Sequence, residues 1–478
     1  MQQVSERLTP AAIVVAALLS VLAVAMAVGA GIGSTNIVGA TLFLSVALWF
    51  VLSWRIGVAA LIVISCVDGF VKLVHASTAT FLLKDVTLAL LLIGMVAALA
   101  VRPELRPRGA WRGLWLWGCF FAFLALEAVS PTTSLSHGLA GFRAHALFAL
   151  LFVVGAVYFN APQRLTKMAD LIVGAITFAA LIGIVQYLMG DAWLSIAGGL
   201  AVASRHYVTF SPLAALLPGQ SGLVYRAYGT LVDPEALGLA CSLGLLYAAA
   251  ALARARGLKT LWLAGAIAIM MSGLVLAGAR SAMLGAAVGM AALLIFAFTQ
   301  ASLRRIAWLA LVVCALALPL GVKLGNGTLQ ERLTGDATTY AAQTRDRSAS
   351  LVLAAVARKP LGMGLGATGA GGKYRGESDS NRLAVDNLYL AYLYELGPLG
   401  LGMLVALQLG FFVLTYRALR SAASIETRAT YAGMAAAQVA LLAAGFMTQG
   451  AFDYAPVAQA FWLMSGAIAL PARVEGQA

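Results

Sequence analysis

Apolar runs of roughly 18–25 residues recur from one end of this chain to the other, the length a helix needs to cross a bilayer. Such a run satisfies its own backbone hydrogen bonds in hydrocarbon as a helix. We read spans at 10–33, 37–53, 56–73, 82–101, 111–129, 139–160, 165–189, 234–253, 259–277, 281–299, 305–323, 387–416, 429–447 and 454–471. The second and third are short, so about 12–14 transmembrane helices are expected. The expected fold is an all-α polytopic membrane protein, one integral membrane domain over residues 1–478. Soluble globular chains are excluded, because 62% of the residues are hydrophobic and only 11% are charged. The run at 10–33 follows a start with one Arg and reads as an uncleaved first span, not a signal peptide.

The net charge of +13 follows from where the cations lie, and no nucleic acid is implied. With the N-terminus inside, the inner connections 102–112, 160–167, 253–259, 300–305 and 416–428 together hold fourteen Lys and Arg. The short outer turns after the first, fifth and thirteenth spans hold none. This asymmetry is the positive-inside pattern and orients the chain. Two long loops, 190–233 and 324–385, then fall outside. Segment 346–359 reads as a short surface helix covering an outer site, and the Gly-rich stretch after it as flexible. The four cysteines lie in apolar runs without metal-ligand spacing, so neither disulfides nor a metal site is expected.

Ionisable residues collect at the outer level. Asp386 opens the twelfth span, Arg280 sits in the turn before the tenth, and Arg226 precedes the eighth. Arg143 and His145 lie in the sixth span, Lys84 opens the fourth, and Arg345 and Arg347 lie in the second long loop. Guanidinium forks match phosphate oxygens, and helix N-termini at Asp233-Pro234, Ser281 and Asp386 favour anions. A lipid-linked phosphate or pyrophosphate fits such a place. Cations there would stabilise a departing diphosphate, and a carboxylate could take the proton of an attacking sugar hydroxyl.

Each residue also has a plainer reading. Asp386 can be a helix cap, Arg280 can offset the C-terminal dipole of the ninth span, and Asp233-Pro234 is a helix start. Arg143 can be half of a structural ion pair, Arg345 and Arg347 a solvated face, and His137 and His145 incidental. Glu395 is nine residues beyond Asp386, which at about 100° per residue puts it on the opposite face. With Gly397-Pro398 just after it, Glu395 reads as a structural group beside a broken helix.

In order, the chain carries Arg226 with Gly-Thr…Asp-Pro, then Gly-Ala-Arg-Ser at 278–281, then Arg347…Pro-Leu-Gly-x-Gly-x-Gly, then Asp386-Asn-x-Tyr-Leu…Glu-x-Gly-x-x-Gly. This order over residues 220–416 resembles the O-antigen ligase and Wzy-type O-antigen polymerase superfamily of bacterial membrane glycosyltransferases. The resemblance implies a GT-C-like helical bundle in the bacterial inner membrane, with a large periplasmic loop and a periplasmic active site. It implies an undecaprenyl-diphosphate-linked glycan donor, a glycan acceptor, and inverting transfer with no cofactor or metal. Chain-length regulators or other polysaccharide-assembly proteins are the implied protein partners.

By motif, the diphosphate-binding arginines map to Arg226 and Arg280, with Arg345 and Arg347 as further candidates, and the catalytic position to Asp386. Arg143, Lys84, Asn387 and Glu395 are expected to support them. The lipid A-core ligases typically carry His before the Asn of the last motif, whereas this chain carries Asp386. That carboxylate favours a polymerase of O-antigen or exopolysaccharide repeat units. The alternatives are a ligase to lipid A-core or another acceptor, and a lipid-linked oligosaccharide flippase. A flippase should show repeat symmetry and polar groups at mid-membrane, which the one-sided charge distribution does not resemble.

Overall fold

The computed structural model describes residues 53–74, 78–101, 113–130, 135–159, 162–189, 226–231, 233–299, 336–368, 383 and 385–468. The expected spans at 10–33, 37–53 and 305–323, most of the loop 190–233 and part of the loop 324–385 lie outside them. The described residues are helical, without a strand. They form α1 (Trp54–Val74), α2 (Thr78–Val101), α3 (Leu114–Ala128), α4 (Leu135–Ala146), α5 (Leu151–Tyr158), α6 (Pro162–Met189) and α7 (Pro234–Ala251). There follow α8 (Leu258–Ala277), α9 (Arg280–Thr299), α10 (Asp336–Arg358), α11 (Leu388–Ser421), α12 (Ile425–Gly445) and α13 (Ala455–Gly466). Seven described segments are long and apolar enough to cross a membrane, with α4 and α5 counted as one. The protein is an all-α polytopic membrane protein.

The chain divides into two compact units, Met1–Ile64 with Ser77–Arg106, and Ser65–Ala76 with Pro107–Ala478. In the larger unit α7 is the central helix. It is apolar all round and buried on every side, packed by α6, α8, α9 and α12. Small residues bring these helices close, as expected where lipid tails compete for every apolar face. Gly285 and Gly289 of α9, four apart, lie against Ala440 and Ala436 of α12; a Cβ on Gly289 would sit 2.8 Å from the Ala440 Cβ. The outward faces carry exposed Phe178, Leu188, Leu261 and Ile295, the apolar surface a bilayer covers.

The two ends of α7 differ. Asp233 caps its start, its Oδ1 accepting from the Glu235 amide at 2.7 Å, with Pro234 in the first turn. Beyond its other end, Arg254 and Lys259 both pair with Asp170 of α6. Eighteen residues of helix separate these levels, about 27 Å at 1.5 Å per residue, close to the thickness of a hydrocarbon core.

Two spans are broken. The span over 135–158 tightens into a 3-10 turn at Leu147–Leu150, directly after His145. The Trp117 indole N–H of α3 donates to the Ala149 carbonyl at 2.7 Å in this turn. In α11 the break falls at Gly397, with φ 65° and ψ −171°, followed by Pro398. Pro398 has no N–H for the carbonyl of Tyr394, and the turn at Gly397 carries the Glu395 carbonyl away from its own helix.

These orphaned carbonyls are taken by the Gly-rich stretch after α10. Met363 N–H donates to Tyr394 O at 2.8 Å, and Gly364 N–H to Glu395 O at 2.9 Å. The stretch expected to be flexible is therefore, over residues 362–368, a mostly buried strap seated in the break. The helix before it is also longer than the expected 346–359, starting at Asp336.

A Cβ on Gly397 would stand 2.1 Å from Pro360 O, in a backbone conformation that L-residues rarely adopt. Gly397→Ala should therefore destabilise by at least about 2–3 kcal/mol, seen as a lower melting temperature of the detergent-purified protein. At Gly402, where a Cβ meets nothing within 4 Å, Ala should be neutral or stabilise by up to about 1 kcal/mol. Equal melting temperatures for the two variants would contradict this account of the break.

Candidate functional site

Helix ends build the site. The starts of α7, α9 and α13 carry polar groups that bond one another, Arg226 closes the end of α8 beside them, and Asp386 before α11 lies within electrostatic range. After α8 closes on Gly278 in the left-handed region, its last carbonyls are taken from outside. Arg226 Nε donates to Ala277 O at 2.7 Å and Ala227 N–H to Leu276 O at 3.1 Å. The dipole-offsetting role that Arg280 could have filled thus belongs to Arg226, while Arg280 begins α9. The chain beyond Arg226 is also fixed: Gln186 Oε1 accepts from the amides of Tyr228 and Gly229, both at 3.0 Å.

Asp233 and Glu235 face the same level. Tyr454, preceding α13, donates its hydroxyl to Asp233 Oδ2 at 2.9 Å, with Glu235 Oε2 at 3.3 Å. Ser281, beside Arg280, donates to Glu235 Oε1 at 2.8 Å. Arg226 feels Asp233, Glu235, Tyr454 and Arg280; burial is the largest influence and lowers its guanidinium below the usual range, while the two acids and Tyr454 oppose this. Arginine remains charged in such a setting.

Asp386 is exposed and lies just before α11. It was a candidate helix cap, but the cap is Asn387, whose Oδ1 accepts from Leu390 N–H at 3.0 Å. The other end of the same amide, Nδ2, donates to Phe446 O at 3.1 Å, at the end of α12. Asp386 is thereby left with its carboxylate outside the capping bonds.

The structure brings Arg280 into electrostatic range of both Arg345 and Asp386, and Glu235 into range of Asp386. Arg345 is half-buried on α10, whereas Arg347 is exposed, as a residue two positions on and about 200° around a helix should be. Arg226, Arg280, Arg345 and Asp386 are therefore assembled, and Arg347 is not. Among the described residues, close ion pairs include those of His145 with Glu395 and Asp453, and of Asp170 with Arg254 and Lys259. None includes Arg226, Arg280 or Arg345.

The supporting positions divide. Lys84 belongs to the smaller unit, half-buried on α2 and with partners of its own. Arg143 is half-buried on α4 and also partnered. Glu395 is buried at 1% exposure, and its oxygens take the amides of Gly366 and Thr368 at 2.9 and 2.8 Å and the Thr368 hydroxyl. His145, read as incidental, instead lies between two acids. Its Nε2 is 3.2 Å from Glu395 Oε2 and its Nδ1 is 3.5 Å from Asp453 Oδ1, with the Tyr392 ring edge-on against it. Gln449 completes this network by donating to Thr368 Oγ1 at 2.8 Å.

Glu235, Tyr454 and Asp453 are the residues not anticipated from the sequence, and Ser281, read as a helix start, also bonds Glu235. Glu235 reads as an ordinary first-turn acid, and Asp453-Tyr454 as an unremarked turn. No local pattern signals partners so far along the chain.

Removing the Tyr454 hydroxyl takes a hydrogen bond from half-buried carboxylates. Tyr454→Phe should cost about 1–3 kcal/mol of stability, read as a lower melting temperature in detergent. An unchanged melting temperature would show that Asp233 and Glu235 do not depend on it.

The family model described as O-Antigen ligase (Wzy_C) matches residues 265–405. The matched stretch includes Arg280, Arg345, the Gly-rich strap, Asp386 and Glu395, and starts after Arg226 and Glu235. No curated protein matches the chain.

Proposed function

We propose that this protein is a membrane glycosyltransferase of the O-antigen ligase and Wzy type that acts on a lipid-diphosphate-linked glycan, a reading supported by the family match over residues 265–405. The match supports an O-antigen ligase or polymerase type of function in general. The observation that carries the finer reading is the convergence of Arg226, Arg280 and Arg345 beside Asp386, with no carboxylate in close ion pairing to these arginines among the described residues. Cations gathered at one level without a close ion pair suit a ligand of high negative charge, and a diphosphate on a polyprenyl carrier is such a ligand.

In the proposed reaction the acceptor hydroxyl approaches Asp386, which takes its proton. The acceptor oxygen forms a bond to the anomeric carbon as that carbon's bond to the diphosphate oxygen breaks. The electron pair leaves with the diphosphate, where Arg226, Arg280 and Arg345 stabilise it. Attack opposite the leaving group inverts the anomeric centre. The loop charge pattern supports a site on the periplasmic face of the inner membrane. The Asp at position 386 favours polymerisation of undecaprenyl-diphosphate-linked repeat units over transfer to lipid A-core.

The test is glycan assembly in cells lacking the native gene and complemented with Asp386→Asn or Arg280→Ala, each checked for its level in the membrane. Loss of one proton acceptor should lower turnover about 10²–10⁴-fold, and loss of one cation at the leaving group about 10²–10³-fold. Single repeat units left on the carrier would support the polymerase. Long chains that stay on the carrier would instead make the protein a ligase. Normal glycan from both variants would reject the site.

A further inference from the structure

The Glu395 carboxylate lies in the interior, away from the arginine cluster in sequence, and the reaction above does not use it. Its contacts nevertheless converge on one segment. Three donors reach it from Gly366 and Thr368 of the strap. The backbone carbonyls of Tyr394 and Glu395 hold Met363 and Gly364 of the same strap. The strap leaves the end of α10, the helix that carries Arg345. That helix rests on the start of α11 through Val352, which packs with Val385 and Ala391. Asp386 follows Val385, and Glu395 closes the same half-helix just before the break.

The half-helix from 388 to 396 therefore fixes α10 and its strap twice, once beside Asp386 through Val352 and once at Glu395 through the strap. The second attachment has little slack. A Cβ on Gly362 would stand 2.3 Å from Glu395 O, and Gly366 lies so close to Gly141 of α4 that a Cβ on either would clash with the other's backbone. His145 and Gln449 brace the Glu395 end, from α4 and from the turn after α12.

We infer that Glu395 is a positioning residue for the diphosphate site: by binding the strap at Gly366 and Thr368 it holds α10 so that Arg345 stands beside Arg280. This rests on the proposed function, since it assigns Arg345 to the lipid diphosphate. Glu395 itself touches no reacting atom. Its charge matters because three donors point at it, and a neutral amide cannot accept from all of them while its own NH2 faces the Gly366 amide.

The probe is undecaprenyl diphosphate, titrated against the full-length protein in detergent, with affinity expressed per folded molecule. Wild type, Arg280→Ala, Glu395→Gln and Thr368→Val are compared, and amide hydrogen exchange is followed over residues 359–368. Glu395→Gln should weaken binding about tenfold and speed exchange at Gly364, Gly366 and Thr368. Thr368→Val keeps the charge and both amides and removes only the hydroxyl, so it should weaken binding about two- to fourfold.

A purely structural Glu395 would lower the melting temperature and the folded yield while leaving the affinity of the folded molecules unchanged, and that result overturns the inference. Should Glu395→Gln fail to fold, Thr368→Val decides alone: wild-type affinity together with faster strap exchange would overturn the inference as well. If the wild type does not bind the probe, or Arg280→Ala binds it as well as the wild type does, the proposed function itself fails. An intact Arg280 effect with unchanged affinity in the Glu395 and Thr368 variants rejects only the positioning role.

Discussion

A helix in hydrocarbon has to satisfy its backbone from within, and α11 cannot do so across Gly397-Pro398. Two carbonyls turn outward there, and two amides of the Gly-rich strap bond them. That exchange determines much else. It draws a polar, glycine-rich segment into the interior of a membrane protein, where its remaining amides also need acceptors. The Glu395 carboxylate supplies them, and His145 then lies against the buried carboxylate. Lone buried charges are costly, and an acid with several donors and a basic neighbour is the form in which they persist.

The arginine level follows the opposite logic. Arg226 gives one N–H to the end of α8, and the carboxylates nearest to it, Asp233 and Glu235, take the Tyr454 hydroxyl, the Glu235 amide and the Ser281 hydroxyl. The acids are thus largely occupied by neutral donors, which in the proposed function leaves the guanidiniums for an anion. Asn387 does the same service for Asp386 by taking over the capping bond. One interior network ties its carboxylate to three strap donors and a histidine, the proposed diphosphate site gathers cations, and the half-helix between Asp386 and Glu395 joins them.

The spans were legible because their signal is local: long apolar runs end at charged residues, and the described helices start and stop within a few residues of those limits. Gly397-Pro398 also announced its break, and Arg226, Arg280 and Asp386 could be grouped once the loops were assigned sides. Choices between near-equal residues were not legible. Asp386 and Asn387 are both good caps, and Asn387 is the one that bonds Leu390 because its amide can also reach Phe446 O. Arg345 and Arg347 differ only in helical phase, which depends on how α10 lies on α11. His145 stands out only as an ionisable residue in a span, and its partners were not legible, since its acids come from α11 and from the turn before α13. Glycine content suggested mobility for residues 362–368, but the same absence of side chains lets the strap fit against the backbone of α4 and α11.

The central claim is that the arginine level binds a diphosphate, and the most direct test is an experimental density map of the protein with undecaprenyl diphosphate bound in lipid nanodiscs. Phosphate density is expected between Arg226, Arg280 and Arg345, at hydrogen-bond distances of about 2.7–3.0 Å from their guanidinium nitrogens, with Asp386 open to solvent beside it. Density for the diphosphate elsewhere on the protein, with these arginines turned onto Asp233, Glu235 or Asp386 instead, would contradict it.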